Sequence, residues 1–234
     1  MAPNPANTAV NQLLKNIAAD VKQLRPRSAP STKPLKKIAS NDLYEAYLFM
    51  RVLSAARSKG TTLELRGEQS MKPARQIIFR MSPGTLHHAS GTAPDYTFAL
   101  LTRTNCDPRA LFVGIKAQGY SGVTHECDVL MLPLSEAKNA QKQPNYSLWL
   151  RADLYVEAKF NSTKISLATA RTLIGVHADL WLGAVVLACH GDLATKARTY
   201  LMAGWWKPAA AGFGYVQPAS SGHNQLENHL GTLF

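Results

Sequence analysis

Three charged residues interrupt the two most strand-like runs of the chain: Asp128 in HECDVLML, and Glu157 with Lys159 in LWLRADLYVEAKF. A buried strand avoids such groups unless they are paired or coordinate a metal. Side chains alternate across a strand, so Glu126 and Asp128 share a face, as do Glu157 and Lys159. His125, Cys127 and Val129 then face away, and so do Val156 and Ala158. With the two strands as neighbours, three carboxylates and an ammonium meet at one end of a sheet, where they repel or desolvate badly without a counter-ion. A divalent cation resolves that conflict. Mg²⁺ takes one or two carboxylates together with waters and phosphate oxygens, and this set suits it.

The elements that must position these groups follow from periodicity. Residues 6–24 carry Val10, Leu13, Leu14, Ile17, Val21 and Leu24 at helical spacing, an amphipathic stripe that needs a partner, either the main domain or another chain. The segment RPRSAPSTKPLKKIAS reads as a basic linker or DNA-tracking arm. Residues 40–60 are the strongest helix, capped by Ser40, Asn41 or Asp42 and stopped at Gly60, with Glu45 in its first turn. Short strands are expected over 61–65, 75–81, 95–102 and 110–118, then two longer ones over 122–132 and 147–160, separated by a polar loop. A helix over 166–180 capped by Ser166, a buried strand over 184–188 and a helix over 191–205 follow. A Gly/Pro/aromatic tail ends in a short helix at 223–230. This order predicts an α/β fold with a mixed central sheet flanked by helices and an N-terminal helical arm. The division is 1–40 for the arm and linker, 41–205 for the core and 206–234 for the tail.

Composition narrows the partner. Hydrophobic residues make up 46%, enough for a real core, and 26 Lys and Arg against 15 Asp and Glu leave a net charge of +11. That balance is the electrostatic footprint of a phosphate-rich partner. No apolar run reaches membrane-spanning length, and MAPNPANTAVNQ lacks the basic and apolar regions of a signal peptide, so a cytoplasmic location and no membrane contact are expected. Cys106, Cys127 and Cys189 lack the paired spacing of a zinc site and read as ordinary buried thiols. His177 and His190 read as core histidines. The Trp205–Trp206 and Phe213–Tyr215 aromatics read as tail packing. GDLATK lacks the rest of a phosphate loop, and no GxSxG occurs.

The charged set and its order resemble the PD-(D/E)xK nuclease superfamily, the restriction-endonuclease-like fold. Glu45 stands on an early helix, Asp128 on a mid-sheet strand and Glu157-Ala158-Lys159 on the next, and the helix at 166–180 and strand at 184–188 follow in the order of that family's core. The resemblance spans residues 41–205 and is one of order and spacing. Cys127 stands where the family's name has proline, and the gap from Asp128 to Glu157 is on the long side.

The resemblance implies that Asp128 and Glu157 hold Mg²⁺, with Mn²⁺ as a substitute. The backbone carbonyl of Ala158 and the Glu126 side chain are further candidate ligands. Lys159 would orient or deprotonate the attacking water and stabilise charge growing at phosphorus. Glu45 would act from behind the ligands or through a second metal, and Lys164 and Arg171 would meet phosphates. The implied activity is a metal-dependent nuclease acting on DNA, compatible with a restriction or anti-phage role and equally with repair. The N-terminal helix would then recruit a second copy, or a recognition or ATPase subunit. The alternative is a binding module on the same fold that holds nucleic acid or a partner without cleaving it. The residues also have plainer readings: Asp128 capping a turn, Glu157 and Lys159 on a solvated face, Glu45 favouring a helix dipole.

Overall fold

A computed structural model describes residues 5–24, 40–80, 82–87, 94–149, 151–160, 164–180, 183–189, 192–202, 228, 230–232 and 234. The linker up to residue 39 lies outside these residues. So do His190 and nearly all of the tail, including its two Trp and its Phe213–Tyr215 loop.

The strongest expected helix forms α2 (Ser40–Ser58), its first residue being the earliest of the three expected caps. Its end is a Schellman motif: Thr61 N–H donates to Ala56 O at 3.1 Å, Gly60 N–H donates to Arg57 O at 3.0 Å, and Gly60 takes φ +81°. Twelve of its residues are buried, on all sides rather than along one stripe. The reason is α1 (Pro5–Leu24), which packs Leu13, Ile17 and Val21 onto it, with Asp20 paired to Arg51. Of the N-terminal stripe, Leu13, Ile17 and Val21 thus find their partner in the chain's own core.

Among the described residues eight strands follow: β1 (Thr62–Gly67), β2 (Thr97–Thr102), β3 (Arg109–Gln118), β4 (Thr124–Pro133), β5 (Leu154–Lys159), β6 (Lys164–Ile165), β7 (Ala184–Cys189) and β8 (Asp192–Leu193). Six make one open mixed sheet in the order β1-β2-β3-β4-β5-β7. All its neighbours are antiparallel except β5 and β7, which run parallel. Beyond β4 lies α3 (Leu134–Lys142), between β6 and β7 lies α4 (Leu167–Leu180), and α5 (Thr195–Met202) ends the core. Two hydrophobic cores result. One joins α1 and α2 to one face of the sheet; the other joins α3, α4 and α5 to the opposite face. The outcome is a three-layer arrangement in which β5 and β7 are buried from both sides.

Four expected elements differ. The helix expected over 191–205 begins only at Thr195, because Asp192–Leu193 pairs in parallel with Lys164–Ile165 as β8. Of the strand expected over 75–81, residues 75–80 form none: Ile78 O accepts the Thr97 N–H at 2.8 Å, and Arg80 turns inward to the buried carboxylate of Glu68 at 2.7 Å, which breaks the alternation a ladder needs. The loop expected after residue 132 holds α3, whose Ala137 and Ala140 at i, i+3 spacing supply its buried face. The strand expected from 147 begins only at Leu154, because Arg151 N–H closes a turn onto Leu148 O at 2.9 Å. Ser166 does cap α4, its Oγ accepting the Thr169 N–H at 3.2 Å.

Docking of α1 is directly testable. Ile17 is fully buried, so Ile17→Ala is expected to cost about 2–5 kcal/mol in urea unfolding. A loss near zero would mean that α1 does not belong to the cooperative core.

Candidate active site

The charged residues gather where β4 and β5 stop pairing. Their ladder comprises Val129–Val156, Leu130–Tyr155 and Met131–Leu154, although β4 extends back to Thr124 and β5 onward to Lys159. Past Val129 the contact is made by a side chain: Asp128 Oδ2 accepts the Ala158 N–H at 2.6 Å. The plain reading of Asp128 as the cap of a turn therefore does not describe this bond: the N–H it satisfies belongs to the Glu157-Ala158-Lys159 tripeptide on the neighbouring strand. In a strand a residue's N–H and C=O lie along the same edge. The Ala158 carbonyl therefore lines the same split as its N–H.

The backbone around Asp128 is bent, which corrects the expected alternation. Val113 and Val129 pack in the core on the α2 side, whereas Ile115 and Cys127, two residues along each strand, pack in the opposite core. Cys127 and Val129 thus do not share a face. The switch falls between the Val113–Val129 and Ile115–Cys127 pairs, at Gly114 and Asp128. Gly114 adopts φ +64°, which a side chain would resist. On β5 the alternation holds, with Val156 and Ala158 on the α2 side.

Glu157 is held from two directions. The buried Tyr155 hydroxyl donates to its Oε2, and Lys159 Nζ pairs with its Oε1. Tyr155 is the participant that reading the charged residues missed. Its signal is the same period-two spacing that joins Glu157 and Lys159.

Glu45 enters from α2, and its electrostatics tie it to the cluster. Burial, followed by the negative charges of Asp128 and Asp42, pushes its carboxyl up to about 8, with Lys159 opposing. Burial and Glu157 raise Asp128 to about 7 against the Ala158 N–H and Lys159. For Lys159, burial favours the neutral amine, but Glu157, Asp128 and Glu45 outweigh it and hold the ammonium above its ordinary value. Glu45 is accordingly no surface residue serving only the helix dipole.

Of the remaining candidates, Glu126 adds to the negative charge around Asp128. Glu126 is exposed and lies 3.9 Å from Lys116 across the hairpin. Arg171 is exposed on α4 with its guanidinium 6.0 Å from the Tyr200 ring centroid, and the Lys164 side chain lies outside the described residues. His177 is buried, which lowers its basicity. Cys127 and Cys189 are buried free thiols, but Cys106 is exposed rather than buried. No helix among the described residues is long and apolar enough to cross a membrane.

Among the described residues, no three His, Cys, Asp or Glu side chains are already gathered as metal ligands. The donor set nonetheless suits a hard divalent cation. Asp128, Glu157 and the Ala158 carbonyl offer oxygen, and a cation would oppose the upward shifts of Asp128 and Glu45, which arise from burial first and neighbouring carboxylates second. Comparison with protein-family models, curated proteins and solved structures gives no match.

The Glu45 shift makes a pH prediction. A carboxyl whose folded pKa is raised contributes stability below the unfolded value, about 4.3, and this is lost as pH rises through about 8. Glu45→Gln keeps the shape without the titration. In EDTA, its melting temperature should gain on wild type from pH 5 to about pH 8 and level off above. A constant difference across that range would mean that Glu45 is not held protonated.

Proposed function

We propose that this chain is a metal-dependent nuclease that hydrolyses phosphodiester bonds, in DNA, on a restriction-endonuclease-like fold. The observation that carries the reading is the Asp128–Ala158 bond beside the Glu157–Lys159 pair, at a split between two central strands. The order of elements supports it: Glu45 on α2, Asp128 on β4, the tripeptide on β5, then α4 and a strand parallel to β5. The net charge of +11 suits a polyanionic substrate.

Asp128 and Glu157 are the residues that would hold Mg²⁺, with the Ala158 carbonyl as a further donor. When bound, the ion would polarise the scissile phosphate and acidify a water molecule. Lys159 is kept protonated by its carboxylate neighbours, so its role is cationic: it orients the phosphate and stabilises negative charge developing there. Tyr155 and Lys159 fix Glu157 between them, and the Ala158 N–H fixes Asp128. Glu45 lies behind this set and adjusts its charge from α2.

A second reading, a silent nucleic-acid-binding or partner-binding module, is favoured by the engagement of both Glu157 oxygens within the chain. Supercoiled plasmid separates the two. The nuclease reading expects nicking in Mg²⁺ or Mn²⁺, none in EDTA, and a loss on the order of 100-fold or more in Lys159→Ala. Salt-sensitive DNA retention by both proteins without cleavage would favour the binding module.

A further inference from the structure

Strand β5 spaces Tyr155, Glu157 and Lys159 two residues apart, so their side chains share one face. The two neighbours engage both oxygens of Glu157. The Tyr155 hydroxyl donates to Oε2, and Lys159 Nζ pairs with Oε1. Across the split, Asp128 gives its Oδ2 to the Ala158 N–H at 2.6 Å. A carboxylate oxygen has a second lone pair, but an ammonium and a dication on the same oxygen stand close enough to repel. A metal held by Asp128 and Glu157 therefore requires one of the Glu157 contacts to give way.

The two contacts differ in how readily they yield. Tyr155 is 1% exposed and packed in the core that joins α3, α4 and α5 to the sheet. Taking its hydroxyl off Glu157 would leave a buried donor without a partner, which is costly. The Lys159 side chain is 36% exposed, on a flexible four-carbon stem with a strongly hydrated head. Water replaces the bonds of the ammonium where nothing replaces those of the buried hydroxyl. Oε1 is thus the oxygen that opens, and Lys159 is the group that leaves it.

The ammonium also occupies the electrostatic position that a metal would take. Burial opposes its charge, and Glu157, Asp128 and Glu45 between them sustain it. A dication on the Asp128 and Glu157 oxygens would answer to the same carboxylates with twice the charge.

We infer that Lys159 is a displaceable counter-ion, which holds Glu157 Oε1 while the site is empty, yields that oxygen to a divalent cation and is thereby released toward the phosphate. The inference rests on the metal-site reading above and adds how that site is regulated. Metal and phosphate then favour each other's binding, because each gains when Lys159 leaves Glu157, and such coupling is reciprocal. The engagement of both Glu157 oxygens is, on this account, the resting state of the site.

The test is Mn²⁺ binding followed by electron paramagnetic resonance, on wild type and Lys159→Met without nucleic acid, joined to a crystal structure of wild type grown with Mn²⁺. The apparent affinity of a site falls with the fraction of molecules in which it is open. Lys159→Met should therefore bind Mn²⁺ about 10-fold or more tighter than wild type, the size of one charge-assisted hydrogen bond. The crystal structure should show Mn²⁺ on Glu157 Oε1 and Lys159 Nζ moved off it. Equal or tighter binding by wild type would overturn the inference while leaving the metal site intact. So would Mn²⁺ bound at Asp128 with Lys159 still against Oε1. Absence of Mn²⁺ binding by both proteins would overturn the metal-site reading together with this inference.

Discussion

Neighbouring strands of a sheet exchange backbone hydrogen bonds as far as both extend, but β4 and β5 cease to do so past Val129 and Val156. The Asp128 carboxylate continues the contact by taking the Ala158 N–H. That substitution admits charged groups to the middle of a sheet, and the other features of the site depend on it. β5 does not need β4 to stay in place there, because β7 pairs with it in parallel through to Lys159. β4 can bend away because Gly114, beside Asp128 on the neighbouring strand, takes up the change of face.

A cluster of this kind is poorly stabilised by its own charges. Burial first, and then their carboxylate neighbours, make Glu45 and Asp128 hold protons more tightly, with Lys159 opposing. Strong perturbation of several groups at one place is a mark of functional sites, since a stability-driven core would replace them with apolar residues. Here the cost is contained by rigid surroundings: α2 is buried between α1 and the sheet, and Tyr155 anchors Glu157 from the opposite core.

Much of this was legible from residue order. Asp128, Glu157 and Lys159 stood out because charge contradicted strand character; the meeting of Glu157 with Lys159 follows from period two, and the nearness of Asp128 from the adjacency of β4 and β5. Helix α2 was visible in its apolar spacing and Gly60, though nothing local to it foretold that α1 would cover its outer side. What was hidden depended on tertiary contacts. The reversal of faces at Asp128 requires a left-handed Gly114 on another strand, and a single glycine in an apolar run does not announce its φ. The 75–81 run has strand composition, but Arg80 is drawn to Glu68, which local propensity does not register. Helix α3 was present as a weak alanine spacing inside a polar segment. Tyr155 looked like another core aromatic because its hydroxyl partner is itself the residue of interest.

The central claim is that the split between β4 and β5 holds a divalent cation on Asp128 and Glu157. The most direct measurement is Mn²⁺ binding followed by electron paramagnetic resonance, on wild type and Asp128→Asn, without nucleic acid. The account predicts saturable binding by wild type that Asp128→Asn loses. No binding by wild type, or equal binding by the variant, would contradict it.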